Sequence, residues 1–431
     1  MAVAATFLAG AGSRLLPPSI PFRFFGAAVT FHVVAWLAAM AGAGQVPAFA
    51  GGLGWPLAAL HAVTLGVLAM TAIGASLQLF PVATRRPIAH AGLAAAVFWT
   101  YVPGVAAVVA GMGLPSPMLL GAGAVAVAGS LLVYVALFAV NLSGAKGMPL
   151  VVAHGAVAAL SLAATLATAL AVVAAYTLGA AVDRQTMVAL HLALAGYGFM
   201  GMLALGLSYV LVPMFALAES PPAHRAWASF ALASGALALS VPAALGVLPG
   251  VLGVAAAGFG AVAAILHVQL MRETTMRGLR RELGIGFRLA RIAWGALVAS
   301  LVLALALALE VPWPRLPTLF GATLIAGWLL SFVLGILQRI VPFLASMHAA
   351  RGKHRPPTPS SLTAERPLRA HFWLHVAALS LLATGILAGS GTLVLAAAAA
   401  GTAGALAYAA FFATAVRRMT ASVIDAGRLK R

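Results

Sequence analysis

Apolar residues in this chain come in long runs, separated by short stretches rich in Gly, Pro and basic residues. The runs are about 20 residues long, enough for an α-helix to cross a roughly 30 Å hydrocarbon core. They lie near 22–44, 57–82, 90–112, 117–141, 150–177, 187–215, 225–247, 250–270, 287–309, 316–345, 370–391 and 393–415, which predicts twelve membrane-spanning helices. A membrane β-barrel is excluded, because its strands read as segments of about ten residues with alternating polarity.

Three of the runs share a signature. In His61–Pro81, His191–Pro213 and Phe320–Pro342 a glycine precedes a proline by seven positions: Gly74 and Pro81, Gly206 and Pro213, Gly335 and Pro342. Gln78, Tyr209 and Gln338 follow those glycines by about one helical turn. A second echo, proline followed closely by Ala-His, comes after each of these runs and ends at His90, His224 and His371. An internal repeat of this kind decides the architecture. The expected fold is all-α and polytopic, a single twelve-helix membrane domain of three pseudo-symmetric four-helix repeats, approximately 1–145, 146–275 and 276–431. His90, His224 and His371 read as residues at helix starts, not as ligands.

Composition agrees. The chain of 431 residues is 63% hydrophobic and 7% charged, where a soluble domain carries about 25% charged residues. Its net charge of +18 points to topology and away from nucleic acid. With the N-terminus in the cytoplasm, every Lys and Arg except Arg184 and Arg315 falls at a cytoplasmic end or loop. The positive-inside rule then places both termini in the cytoplasm of a bacterial-type inner membrane, with the lipid bilayer as the first partner. The opening MAVAATFLAGAGSRLLPPS lacks a basic start and reads as a lead-in, not a signal peptide. Of the two long basic loops, 271–291 is expected to form an amphipathic surface helix, with Glu273 and Arg277 as an ion pair one turn apart. The proline-rich 349–369 is expected to be irregular.

By these limits no Asp or Glu falls inside a span, which argues against ion-coupled transport. Histidine is left as the chemistry-bearing residue within the membrane. His61 and His191 open equivalent spans from the same side, 13 and 15 residues before their signature glycines, a depth difference of about 3 Å. Gly66 and Gly196 follow them by five residues. Two readings are open. Imidazole could ligate haem iron while the glycines leave space for the macrocycle; alternatively the glycines permit close helix packing and each histidine bonds a carbonyl. His32, near the middle of the first span, is a further candidate ligand. Copper is a second option, held by His191 with the thioethers of Met200 and Met202. The absence of cysteine excludes thiolate-held cofactors and c-type haem attachment.

The three-repeat plan, with histidines near the external ends of spans two and six, resembles the catalytic subunit of haem–copper oxidases. The segments H-x2-TLG-x3-M-x3-GA-x3-LFPV from His61, GLSYVLVPMFAL from Gly206, GWLLSFVLGILQRIVPFL from Gly327 and PFRFFGAAVTFH from Pro21 are similar to a divergent, NnrS-like branch of oxidase-subunit-like proteins. The resemblance implies that His61 ligates haem b and His191 ligates copper or haem, in chemistry linked to nitric oxide or oxygen. It also implies a redox partner or another membrane subunit. Spans seven and ten lack the histidines that an oxidase uses for copper and both haems, and Ala195 stands where some oxidases carry a tyrosine. Oxygen reduction with proton pumping is therefore not expected. What remains is electron transfer or gas-related redox chemistry or sensing. The alternative is a non-catalytic assembly factor, structural subunit or carrier for haem, copper or a small apolar molecule.

Overall fold

The structure, a computed structural model, describes residues 14, 16–280, 282–349 and 357–428. Among them twelve helices are long and apolar enough to span a membrane: α1 Ser19–Ala41, α2 Trp55–Ala83, α3 Ala91–Gly113, α4 Pro117–Ser143, α5 Pro149–Thr177, α6 Arg184–Ala216, α7 Ala223–Ala244, α8 Pro249–Arg277, α9 Gly284–Ala308, α10 Leu316–Ala349, α11 Glu365–Ala388 and α12 Gly391–Ser422. The chain is an all-α multi-pass membrane protein. Proline opens α4, α5 and α8, where its missing N–H has no intrahelical partner to lose.

The signature helices form the middle of the bundle. In its most apolar stretch α6 is 94% buried, whereas outlying α7 is 11% buried. Inside a bilayer, lipid tails are as apolar as leucine, so helices associate through close van der Waals fit at small residues. The signature glycines supply that fit. A Cβ on Gly74 would lie 2.9 Å from Cβ of Phe24 in α1; on Gly206, 2.5 Å from Cβ of His154 in α5; on Gly335, 2.7 Å from the Gly286 carbonyl in α9. Each glycine thus docks the second helix of a repeat onto the first helix of the same repeat.

All three central helices also widen into π-helix at matching places: Ala62–Ala69, Ala193–Gly201 and Thr323–Leu330. The π segments of α2 and α6 each pack against that of α10. A π segment disturbs the carbonyl ladder, and side chains take up acceptors there. The Tyr101 hydroxyl donates to the Leu65 carbonyl at 3.0 Å, and that of Ser331 donates to the Ala326 carbonyl at 3.0 Å. Such segments are frequent at functional sites.

Two loop expectations change. The stretch 271–291 contains no separate surface helix, because α8 continues to Arg277 and α9 begins at Gly284. Glu273 joins Arg277 at 3.9 Å, yet its main partner is Arg225 of α7, at 3.0 Å from both carboxylate oxygens. A carboxylate therefore does lie on a spanning helix, at its basic end. In 349–369, a short helix at Pro359–Leu362 precedes α11. Residues 350–356, and nearly all of the opening stretch, lie outside the described residues.

Candidate metal site at the paired histidines

His61 is the last residue before the π segment of α2, and His191 stands two residues before that of α6. Counted from the π segments, the two differ by one residue, about 1.5 Å, half the offset expected from the downstream glycines. Their rings lie side by side, 6.4 Å between centroids and 26° between planes. Nδ1 of His61 donates to the Leu57 carbonyl at 3.0 Å. A carbonyl can only accept, so Nδ1 carries the hydrogen and Nε2 the lone pair. The His191 ring lies against α5, with Nδ1 3.5 Å from the Thr168 hydroxyl. Metal-binding histidines are held in this manner, one ring nitrogen fixed by a backbone or side-chain oxygen and the other free.

In the third repeat the matching position is Ala322, five residues before Gly327 as His61 is before Gly66 and His191 before Gly196. The repeat thus supplies two imidazoles and a blank. Among the described residues no three His, Cys, Asp or Glu side chains are grouped so as to hold a metal. The protein's own donor set at this place is the two imidazoles.

The other proposed ligands lie elsewhere. Met200 lines a small space with Thr71 and Phe332, while Met202 lines a different cavity, so the two thioethers do not converge with His191 on one point. His32 belongs to a second group. Its Nε2 accepts from the Trp36 indole at 3.2 Å, and its ring lies 6.0 Å from that of His371 and 6.3 Å from that of Tyr408. His371 is 5.4 Å from His375, donates through Nδ1 to the Gly404 carbonyl, and is fully buried. His375 pairs with Ser331 at 2.9 Å. The expectation that His371 is only a helix-start residue fails for this member of the trio, while His90 and His224 are exposed. The signal was available: His371 and His375 are four apart, which places them on one helical face.

A third group joins His267 to the Tyr209 hydroxyl at 3.2 Å, beside His154. Tyr134, at the corresponding place in α4, bonds Ser76 at 2.7 Å. Beside α6 and α10 lies a half-open apolar cavity of about 260 Å³, walled by alanines and glycines of α7 and α8 with Tyr197, Phe320 and Trp328.

No family model and no curated protein matches the chain. Among solved structures it is similar to a haem–copper terminal oxidase determined by cryo-EM as a dimer, with a TM-score of 0.60 and 11% identity over 95% of this chain and 84% of that one. At that identity the likeness concerns the fold. This chain is a membrane protein with the architecture of a haem–copper oxidase subunit.

Haem was to use the space beside Gly66 and Gly196, and here that space is filled. A Cβ on Gly66 would lie 2.5 Å from the Phe31 ring, and one on Gly196 3.1 Å from Leu324. Both glycines are sites of close approach, to Phe31 of α1 and Leu324 of α10. The spacing of the imidazoles does suit a single ion. An imidazole nitrogen lies about 1 Å from its ring centre and a metal–nitrogen bond is about 2 Å, so two imidazoles on opposite sides of one ion have centres about 6 Å apart.

Proposed function

We propose that this oxidase-like membrane protein binds one redox-active metal ion between His61 and His191, for electron transfer or for reaction with a small gas. The carrying observation is the pairing itself: repeat-equivalent imidazoles 6.4 Å apart, both anchored to oxygen atoms. Two neutral nitrogen donors without a carboxylate suit copper in its reduced state. Haem b iron, which also takes two axial imidazoles, is the second reading, and it requires Phe31 and Leu324 to move aside. The NnrS-like motifs make nitric oxide a candidate substrate, and the basic excess supports an orientation with the histidine pair on the external side of an inner membrane. The alternative role, a carrier or assembly factor for the same metal, uses the same two ligands.

Metal analysis and a visible spectrum of the purified protein test this reading. One copper per chain without a Soret band is expected, and it should be lost in His61→Ala and in His191→Ala. A Soret band lost in the same variants would keep the site and exchange the cofactor. A colourless, metal-free protein after expression with added copper and haem precursor would overturn the proposal.

A further inference from the structure

The corner where α2 meets the α4–α5 turn holds three cations with no counter-charge. Arg85, Arg86 and Lys146 are exposed there, and among the described residues the only ion pairs are those of Glu273 with Arg225 and Arg277. The frame beneath them is fixed by hydrogen bonds. The Thr84 hydroxyl donates to the Phe80 carbonyl at 2.8 Å and to Asn141 Oδ1 at 3.1 Å; Asn141 Nδ2 donates to the Arg86 carbonyl at 2.8 Å; the Lys146 amide donates to the Thr84 carbonyl at 2.9 Å. Arg85 and Met148 hold left-handed backbone conformations, φ 56° and 47°. Non-glycine residues bear that strain where the surroundings enforce it, often at ligand clamps.

Two glycines let the cations lie against the turn. A Cβ on Gly144 would overlap the Arg86 guanidinium, and one on Gly147 would lie 3.3 Å from Nε of Arg85. On the two helices that flank the corner, α3 and α4 expose Leu93, Trp99, Leu132 and Val140, apolar surface for acyl chains. The geometry points to a binding site for an anionic phospholipid, its phosphate held by Arg85, Arg86 and Lys146 and its tails on α3 and α4. Charge complementarity calls for phosphate, and the apolar face below distinguishes a lipid from free phosphate.

The test is native mass spectrometry of the full-length protein in detergent, titrated with phosphatidylglycerol or phosphatidylcholine. Wild type should retain phosphatidylglycerol selectively, and inorganic phosphate should not displace it. Each cation removed, in Arg85→Gln, Arg86→Gln and Lys146→Gln, should weaken retention about fivefold. Gly144→Ala, which evicts the Arg86 guanidinium without changing charge, should match Arg86→Gln, and either serves if the other does not fold. Arg272→Gln, at the same end of the bundle on α8, should change nothing. Equal retention of both lipids, an equal loss in Arg272→Gln, or complete displacement by phosphate would each overturn the assignment.

Discussion

The half-buried pair His61 and His191 and the buried cluster His32, His371 and His375 differ in how the fold brings them together. His61 and His191 come from equivalent places in two repeats, spend one nitrogen each on local anchoring, and lie nearly parallel with centroids 6.4 Å apart. His32, His371 and His375 come from α1 and α11, and their bonds to Trp36, the α12 carbonyl of Gly404 and α10 Ser331 tie three helices together. Symmetry produces the pair, whereas local packing of the first and last helices produces the cluster. The second nitrogen does not separate them, because Nδ1 of His32, Nε2 of His371 and Nδ1 of His375 are also buried without a hydrogen-bond partner; the difference lies in repeat equivalence.

The comparison breaks most visibly if the wrong set loses metal. His61→Ala or His191→Ala should bring metal content to background with the fold intact by circular dichroism, while His375→Gln should leave metal content unchanged. Gly401→Ala strikes the cluster: its methyl would overlap the Trp36 indole that holds His32. A stability loss of about 1–3 kcal/mol from overpacking, read as lowered Tm with metal retained, is expected. Gly66→Ala should cost a similar amount through Phe31 and again spare the metal, whereas selective cofactor loss would restore the macrocycle reading of that glycine. Ala322→His fills the blank in the third repeat and should tighten metal binding and alter its spectrum; no change would mean that the third position does not look toward the pair.

The smallest effect concerns the start of the His191 helix. The Asp183 carboxylate accepts from the Thr186 hydroxyl at 2.6 Å and from the amides of Gln185 and Thr186, which lowers its pKa. A depressed carboxylate stabilises the fold above its unfolded pKa, and the contribution disappears as pH falls through the folded value. The Tm difference between wild type and Asp183→Ala should therefore be small and positive at neutral pH and vanish in acid. A gap that persists in acid would remove the carboxylate from the account.

Much was legible in the chain itself. Twelve spans, the three-repeat plan and the corresponding places of His61 and His191 in two repeats follow from run length and spacing, because a bilayer imposes one element length and offers the backbone no other partner. The Gly74, Gly206 and Gly335 signature marked real docking points for the same reason: small residues are the means of close approach in lipid. Other features needed three dimensions. Spacing does not give helix rotation, so it could not say that Phe31 covers Gly66, that Met200 and Met202 part company, or that His32 turns to α11 and α12. The π segments change rotation by adding a residue to a turn, which the apolar pattern does not record. Sequence therefore determined which residues form the spanning helices. Only packing between helices decided which of them meet.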